Sequence, residues 1–236
     1  MTREVKNYEE RREEILAIAR RLFFSQGYGS TSVNEIIATI GIAKGTFYHY
    51  FDSKEDLMID LADQITDEAI AIIDKIVTKT GMDAREKLLQ VFTQTGTWKV
   101  QNREMMLELM RVMFDPENVR FRQILNKMTL DKAAPYIARI IHQGIADKIW
   151  DNKYPEEIAR IIFSMGFGIS DQFNECFQQF DSATESKKAS ILSEFENQIR
   201  AYNYAINRLL GARDENLELF DLSIIRSFFN EETDSR

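Results

Sequence analysis

The chain has 236 residues, 44% of them hydrophobic, with 10 Gly and 3 Pro; this supports a substantial buried core and excludes disorder over most of the length. A single cysteine, Cys176, excludes an intramolecular disulfide, and no apolar run approaches the roughly 20 residues that span a bilayer, so the expected setting is cytoplasmic. The net charge of -8 is uneven: residues 1–54 hold eight Lys/Arg against seven Asp/Glu, while the remaining chain carries -9, which disfavours nucleic acid anywhere but the N-terminal part. Leu, Ile, Met and Phe recur at three- and four-residue spacing throughout, so the expected fold is all-α, with no sheet.

From Tyr8 to Ser25, Ile15, Ile18, Ala19, Leu22 and Phe23 form one stripe with Glu and Arg opposite, an amphipathic helix ended by Gly27 with Tyr28 folding back behind it. Arg3, Lys6, Arg11 and Arg12 are candidate phosphate cations nearby. Between Thr31 and Lys54 the punctuation reads as two short helices and a tight turn. Ser32 and Glu35 stand at capping-box spacing, Val33, Ile36, Ile37 and Ile40 give the apolar face, and Gly41 turns the chain, with Ile42 plugging the angle. A second helix starts near Ala43. Phe47 and Phe51 can face inward there, leaving Lys44, Thr46, Tyr48 and His49 pointing outward as a surface for contact. Ser53 with Asp56 caps the next helix, and Lys54 in its first turn offers a cation beside free backbone amides, a phosphate site.

The run TSVNEIIATIGIAKGTFYHYFDSKEDL resembles the DNA-binding head of the TetR family of bacterial transcriptional regulators, with the glycine turn, Lys-Gly-Thr, Phe-Tyr-His-Tyr-Phe and Ser-Lys-Glu in the family's order. The resemblance covers roughly residues 10 to 60. It implies that the helix carrying Lys44, Gly45, Thr46, Tyr48 and His49 enters the major groove of double-stranded DNA, and that Thr31, Tyr48 and Lys54 hold phosphates. Ala43 departs from the pattern, standing where a Ser would cap the recognition helix.

Beyond Ser53, Leu57, Leu61, Ile65, Ala69, Ile72 and Ile76 continue without a breaker to Gly81, a predicted helix of about 39 Å. Asp83 and Glu86 cap the next one, which carries Leu88, Leu89, Val91, Phe92 and Trp98 and ends near Asn102. The following segment, from Met105 to Phe114, is apolar nearly all round and must be buried. Its methionines suit either an adaptable cavity or an ordinary core. The family resemblance implies an inducer pocket among the middle helices, with Trp98, Met106, Met110, Met113, Phe114 and Phe167 as lining candidates.

Residues 118–147 predict a short helix and then a longer one perturbed at Pro135, with His142 beside the apolar stripe; Trp150 follows the helix end, and Lys148 occupies a turn where glycine is easier. No Cys, Asp or Glu makes metal spacing with His142. Pro155 opens a long helix whose seam is Ile158, Ile162, Met165, Ile169, Phe173, Cys176 and Phe180. After a polar break at 181–186, Ile191, Phe195, Ile199, Tyr202, Ile206 and Leu209 repeat the pattern. The two seams suit a four-helix bundle with a second subunit, placing Ile158, Ile162, Met165, Ile169, Phe173, Ile191, Phe195, Ile199 and Tyr202 at a dimer interface. An intramolecular core is the alternative. Leu217, Phe220, Ile224, Ile225 and Phe228 outline a last amphipathic helix, and 231–236 is a polar tail.

These readings divide the chain into a helix-turn-helix domain at 1–54 and a helical ligand-binding and dimerisation domain at 55–230. The expected function is a homodimeric regulator on a palindromic operator, a repressor released by a small, largely apolar ligand. The alternative is a dimeric DNA-binding protein without an inducer, controlled by a protein partner. No glycine-rich phosphate loop, metal-ligand motif or nucleophile-base pair is found, so neither an enzyme nor a cofactor is expected.

Overall fold

The computed structural model describes residues 8–212 and 217–229; Arg3, Lys6 and the tail at 231–236 lie outside them. The described residues are helical and contain no strand. The helices are α1 (Tyr8–Gln26), α2 (Val33–Ile40), α3 (Lys44–Tyr48), α4 (Lys54–Val77), α5 (Ala84–Gln101), α6 (Arg103–Phe114), α7 (Val119–Ala146), α8 (Pro155–Ser182), α9 (Glu185–Leu210) and α10 (Leu222–Ser227), with a 3-10 turn at Pro116–Asn118. Among the described residues, no helix is long and apolar enough to cross a membrane. Two compact units result: Met1–Asp67 with Glu104–Leu125, and Glu68–Arg103 with Asn126–Arg236.

In the first unit, Ile15, Leu16, Ala19 and Phe23 of α1 close over Ile36, Phe47, Phe51, Leu57, Met58 and Leu61, all nearly or wholly inaccessible. Full burial of each such side chain stabilises by about 1.5–3 kcal/mol. The Met-rich helix α6 joins this unit. Met105, Met106, Leu109 and Val112 are buried, and so is Glu108, a carboxylate that the apolar reading of the segment passed over.

The core of the second unit gathers Ile73, Ile76, Leu88, Ile137, Ile141, Trp150, Ile162, Ile206 and Leu210. Trp150 lies flat against Gly144, where an added Cβ would fall 2.1 Å from the indole Cε3, so only glycine permits this contact. Lys148 holds the turn between them at φ 58, in the left-handed region, as its position suggested.

Three predicted elements differ. Helix α4 stops at Val77 rather than Gly81, and the buried Lys87 Nζ donates to the Val77 carbonyl at 2.9 Å, fixing the end from ten residues downstream. Pro135 lies within α7, which runs unbroken over 28 residues. The last helix is only Leu222–Ser227, because Leu217 and Phe220 are held in a strap by side chains of α9. Asn207 donates to the Leu217 carbonyl at 2.8 Å and accepts its N–H at 3.2 Å, and Asn203 does the same for Phe220 at 3.1 and 3.0 Å.

The seam of α8 and α9, expected at a subunit interface, is packed in large part within the single chain. Ile158, Ile162, Ile169, Phe195 and Ile199 are buried within the single chain, and Met165, Phe173, Ile191 and Tyr202 are half-buried against the same two cores. Phe173 packs on Phe195, Phe228 and Phe229. Cys176 lies on this apolar seam. Burial pushes its thiol up to about 11, which leaves it protonated and inert near neutral pH.

Candidate nucleic-acid interface

Local chemistry builds the α2–turn–α3 unit much as the sequence predicts. The Ser32 hydroxyl accepts the Glu35 N–H at 3.2 Å, and Gly41 adopts φ 75, with its N–H closing on the Ile37 carbonyl at 2.9 Å. Ile42 is buried in the angle. Ala43 precedes α3 with no side-chain cap, so α3 relies on tertiary anchoring, which Phe47 and Phe51 supply from its inner face. At the next helix, Ser53 accepts the Asp56 N–H at 3.0 Å.

The outer face of α3 is open. Lys44, Gly45, Tyr48 and His49 are exposed, and Thr46 is half-buried. Lys44 Nζ lies 5.9 Å from the Tyr48 ring centroid, a loose cation–π approach that leaves its protons free for an anion. A Cβ added at Gly45 would meet nothing within 4 Å, so no neighbour in the chain requires glycine there, and the open backbone permits close approach from outside.

Two residues expected at phosphates have internal duties. Thr31 is buried at 1% exposure; its hydroxyl donates to the Gly27 carbonyl at 2.9 Å and accepts from Gln26 at 3.2 Å. Lys54 donates to the carbonyls of Tyr28 and Thr31 at 3.0 and 3.3 Å, with its ammonium 4.0 Å from the Tyr28 ring centroid. Arg11 pairs with Glu14, and Arg12 pairs with Asp60 while lying 5.7 Å from the Phe51 ring, so both are tied into the fold.

The turn between α1 and α2 converges on Tyr28. Its N–H donates to Glu108 Oε1 at 2.8 Å, its carbonyl accepts Lys54, and its hydroxyl donates to Glu55 at 3.3 Å. Burial, with Glu55 beside it, raises the Tyr28 hydroxyl well above the usual tyrosine range, so it stays a donor. Glu108 also pairs with Arg111 at 3.0 Å. The sequence carried no local sign of this hub, because Glu108 and Tyr28 stand 80 residues apart.

The expected ligand-lining residues fall in both units. Met106, Met110, Met113 and Phe114 belong to the first unit, and Trp98 and Phe167 to the second. Two surface hollows lie along α8 and α9. One, of about 110 Å³, is lined by Gln172, Cys176, Ile191 and Phe195 among others; a second, of about 560 Å³, lies beside Ala183 and Ile191. His142 is exposed and shares a 2.7 Å hydrogen bond with Glu156, whose carboxyl this contact lowers. No group of His, Cys, Asp and Glu among the described residues is arranged to hold a metal.

A short helix with an anchored inner face and an open polar outer face, set after a glycine turn, defines a helix-turn-helix nucleic-acid-binding head. Residues 15–61 match the family model described as bacterial regulatory proteins, tetR family. Among curated relatives, the HTH-type transcriptional repressor KstR2 of Rhodococcus jostii (strain RHA1) is 36% identical over 83 residues, 35% of this chain and 40% of that protein. The chain spans less than two thirds of the length of the curated relatives it matches. Solved structures share the fold over most of the chain. A transcriptional regulator from Cytophaga hutchinsonii ATCC 33406 superposes with TM-score 0.59 at 19% identity, covering 84% of this chain and 97% of that one. The FadR regulator of Bacillus subtilis in complex with stearoyl-CoA gives 0.56 at 22%, covering 78% and 96%.

Proposed function

We propose that this protein is a DNA-binding transcriptional repressor that occupies a palindromic operator as a homodimer and releases it when a small, largely apolar molecule binds its helical body. The observation that carries the reading is α3, whose Lys44, Gly45, Tyr48 and His49 face outward while Phe47 and Phe51 fix its orientation. One such helix contacts few base pairs, so useful affinity needs two heads on half-sites about 34–36 Å apart. Self-association then uses surface the chain leaves open on α8 and α9, where Ile161 is 42% and Tyr204 53% exposed.

Release runs through α6. Glu108 sits on the same helix as Met106, Met110 and Met113 and holds the Tyr28 amide, and the Tyr28 carbonyl holds Lys54 at the start of α4. A displacement of α6 therefore strains the turn that sets α2 against α4. The FadR neighbour bound to stearoyl-CoA supports a ligand of apolar character. A second reading, regulation by a protein partner with no inducer, is favoured by one observation: Met106 is packed into the first unit.

The decisive experiment selects duplexes from random DNA with the full-length protein; a two-fold consensus is expected, and failure to enrich any sequence sinks the proposal. Stearoyl-CoA is then titrated with and without the selected duplex. Linkage requires each to weaken the other by the same factor, and independence of the two favours the inducer-free reading. Ile161→Glu with Tyr204→Glu should yield monomers in sedimentation; a persistent dimer places the interface elsewhere.

A further inference from the structure

Tyr8 opens α1, outside the stretch that carries the family pattern, and lies against two residues of the α3 end. Its ring centroid is 4.6 Å from Tyr50 with planes tilted by 36°, and 5.8 Å from His49 in an edge arrangement at 83°; His49 and Tyr50 are themselves 5.2 Å apart. The three rings thus make a closed triangle. One turn further along α1, Arg12 lies over the Phe51 ring and pairs with Asp60. The i, i+4 register of Tyr8 and Arg12 therefore runs α1 along residues 49–51, and the triangle follows from a fixed helix placement.

Burial is not what holds this cluster. Tyr8 remains 48% exposed and His49 is exposed too, while Phe47 and Phe51 are buried in the core beneath α3. An aromatic pair at such a site contributes modestly to stability but restricts ring orientation. His49 is the cap residue of a five-residue helix, where an unrestrained imidazole would sample several rotamers.

We propose that Tyr8 is a positioning residue for DNA binding: it clamps the His49 imidazole, through Tyr50, in the orientation that meets DNA beside the end of α3. The proposal rests on the reading of the head as a DNA-binding unit. Holding the ring in advance removes an ordering cost from the bound state, so loss of the clamp weakens binding even though Tyr8 need not touch DNA.

The test uses the full-length protein and a duplex it enriches from random sequence. Tyr8→Ala should weaken binding by about two- to tenfold, the range one aromatic pair supplies, and Tyr8→Phe, which keeps the ring, should bind like the parent. His49→Ala should remove the dependence on Tyr8, so the double variant binds no worse than His49→Ala alone. The His49 ring proton resonances should shift in Tyr8→Ala without DNA, which a bulk loss of helix stability would not produce if the thermal midpoint is unchanged. Additive losses, or an unaltered affinity in Tyr8→Ala, overturn the clamp while leaving the DNA-binding head intact; a parent protein that enriches no duplex overturns both.

Discussion

The turn at 27–32 in the first unit and the strap at 217–220 in the second meet the same need, satisfying backbone groups outside helices, with different chemistry. In the turn, an acidic and a basic side chain do it: Glu108 takes the Tyr28 N–H, and Lys54 gives to the Tyr28 and Thr31 carbonyls. In the strap, the neutral amides of Asn203 and Asn207 each offer one donor and one acceptor to a single residue, much as a neighbouring β-strand would. A charge-assisted bond is stronger, but it answers to pH, salt and any competing ion; a buried amide is indifferent to all three. A fastening under a binding surface gains from being adjustable, and one beneath a core gains from being constant.

The sharpest break in that comparison is Asn207→Ala, which leaves the Leu217 N–H and carbonyl without partners in a buried site. Each orphaned group costs about 1–3 kcal/mol, so urea unfolding of the second unit should lose about 2–6 kcal/mol. Next comes Glu108→Ala, expected to cost about 1–3 kcal/mol by stranding the Tyr28 N–H, and to speed hydrogen exchange at that amide. Glu108→Gln keeps an acceptor and should fall between variant and parent; a Gln variant as damaged as Ala would mean that charge matters more than the bond.

Lys54→Ala separates the two duties of one ammonium. If it meets a phosphate as well as two carbonyls, the slope of log affinity against log salt should drop by about one, and affinity should fall alike for all sequences. An unchanged slope would confine Lys54 to the turn.

The smallest effect concerns an ion pair that ties α10 to α9, between Arg226 and Glu196 at 2.6 Å. The Arg226 guanidinium, hydrogen-bonded to Glu196, holds that carboxyl below its ordinary value. Since the folded value is the lower one, this contribution is complete above the ordinary glutamate range and fades as pH falls through the depressed value. Arg226 is 57% exposed, so solvent screens the pair. Glu196→Gln should lower stability slightly at neutral pH and leave the acid end nearly unmoved, so the profile between them flattens.

What could be read in the sequence was what neighbours in the sequence decide. Ser32 with Glu35, Gly41, Ser53 with Asp56, Asp83 with Glu86 and the strained turn at Lys148 all depend on residues within a few positions, and each is found as expected. Distant partners set the remainder. The end of α4 depends on Lys87, the shortening of the last helix on Asn203 and Asn207, and the burial of a carboxylate in α6 on an amide of Tyr28. Periodicity found the apolar faces of α8 and α9 but could not say what covers them, since an aromatic strap and a second subunit demand the same stripe. In the candidate site, the outward face of α3 was legible from Phe47 and Phe51. The inward turn of Thr31 and Lys54 was not, because it depends on where the chain folds back at Gly27.

The indole of Trp150, pressed against Gly144, has a spectroscopic consequence. The chain has two tryptophans, Trp98 and Trp150, and both belong to the second unit, whereas Tyr8, Tyr28, Tyr48 and Tyr50 stand in the first. Tryptophan emission therefore reports on the structure of the second unit. A denaturation curve recorded by tryptophan fluorescence and one recorded by far-ultraviolet circular dichroism coincide only if the two units unfold together, so the native chromophores report on cooperativity without a label.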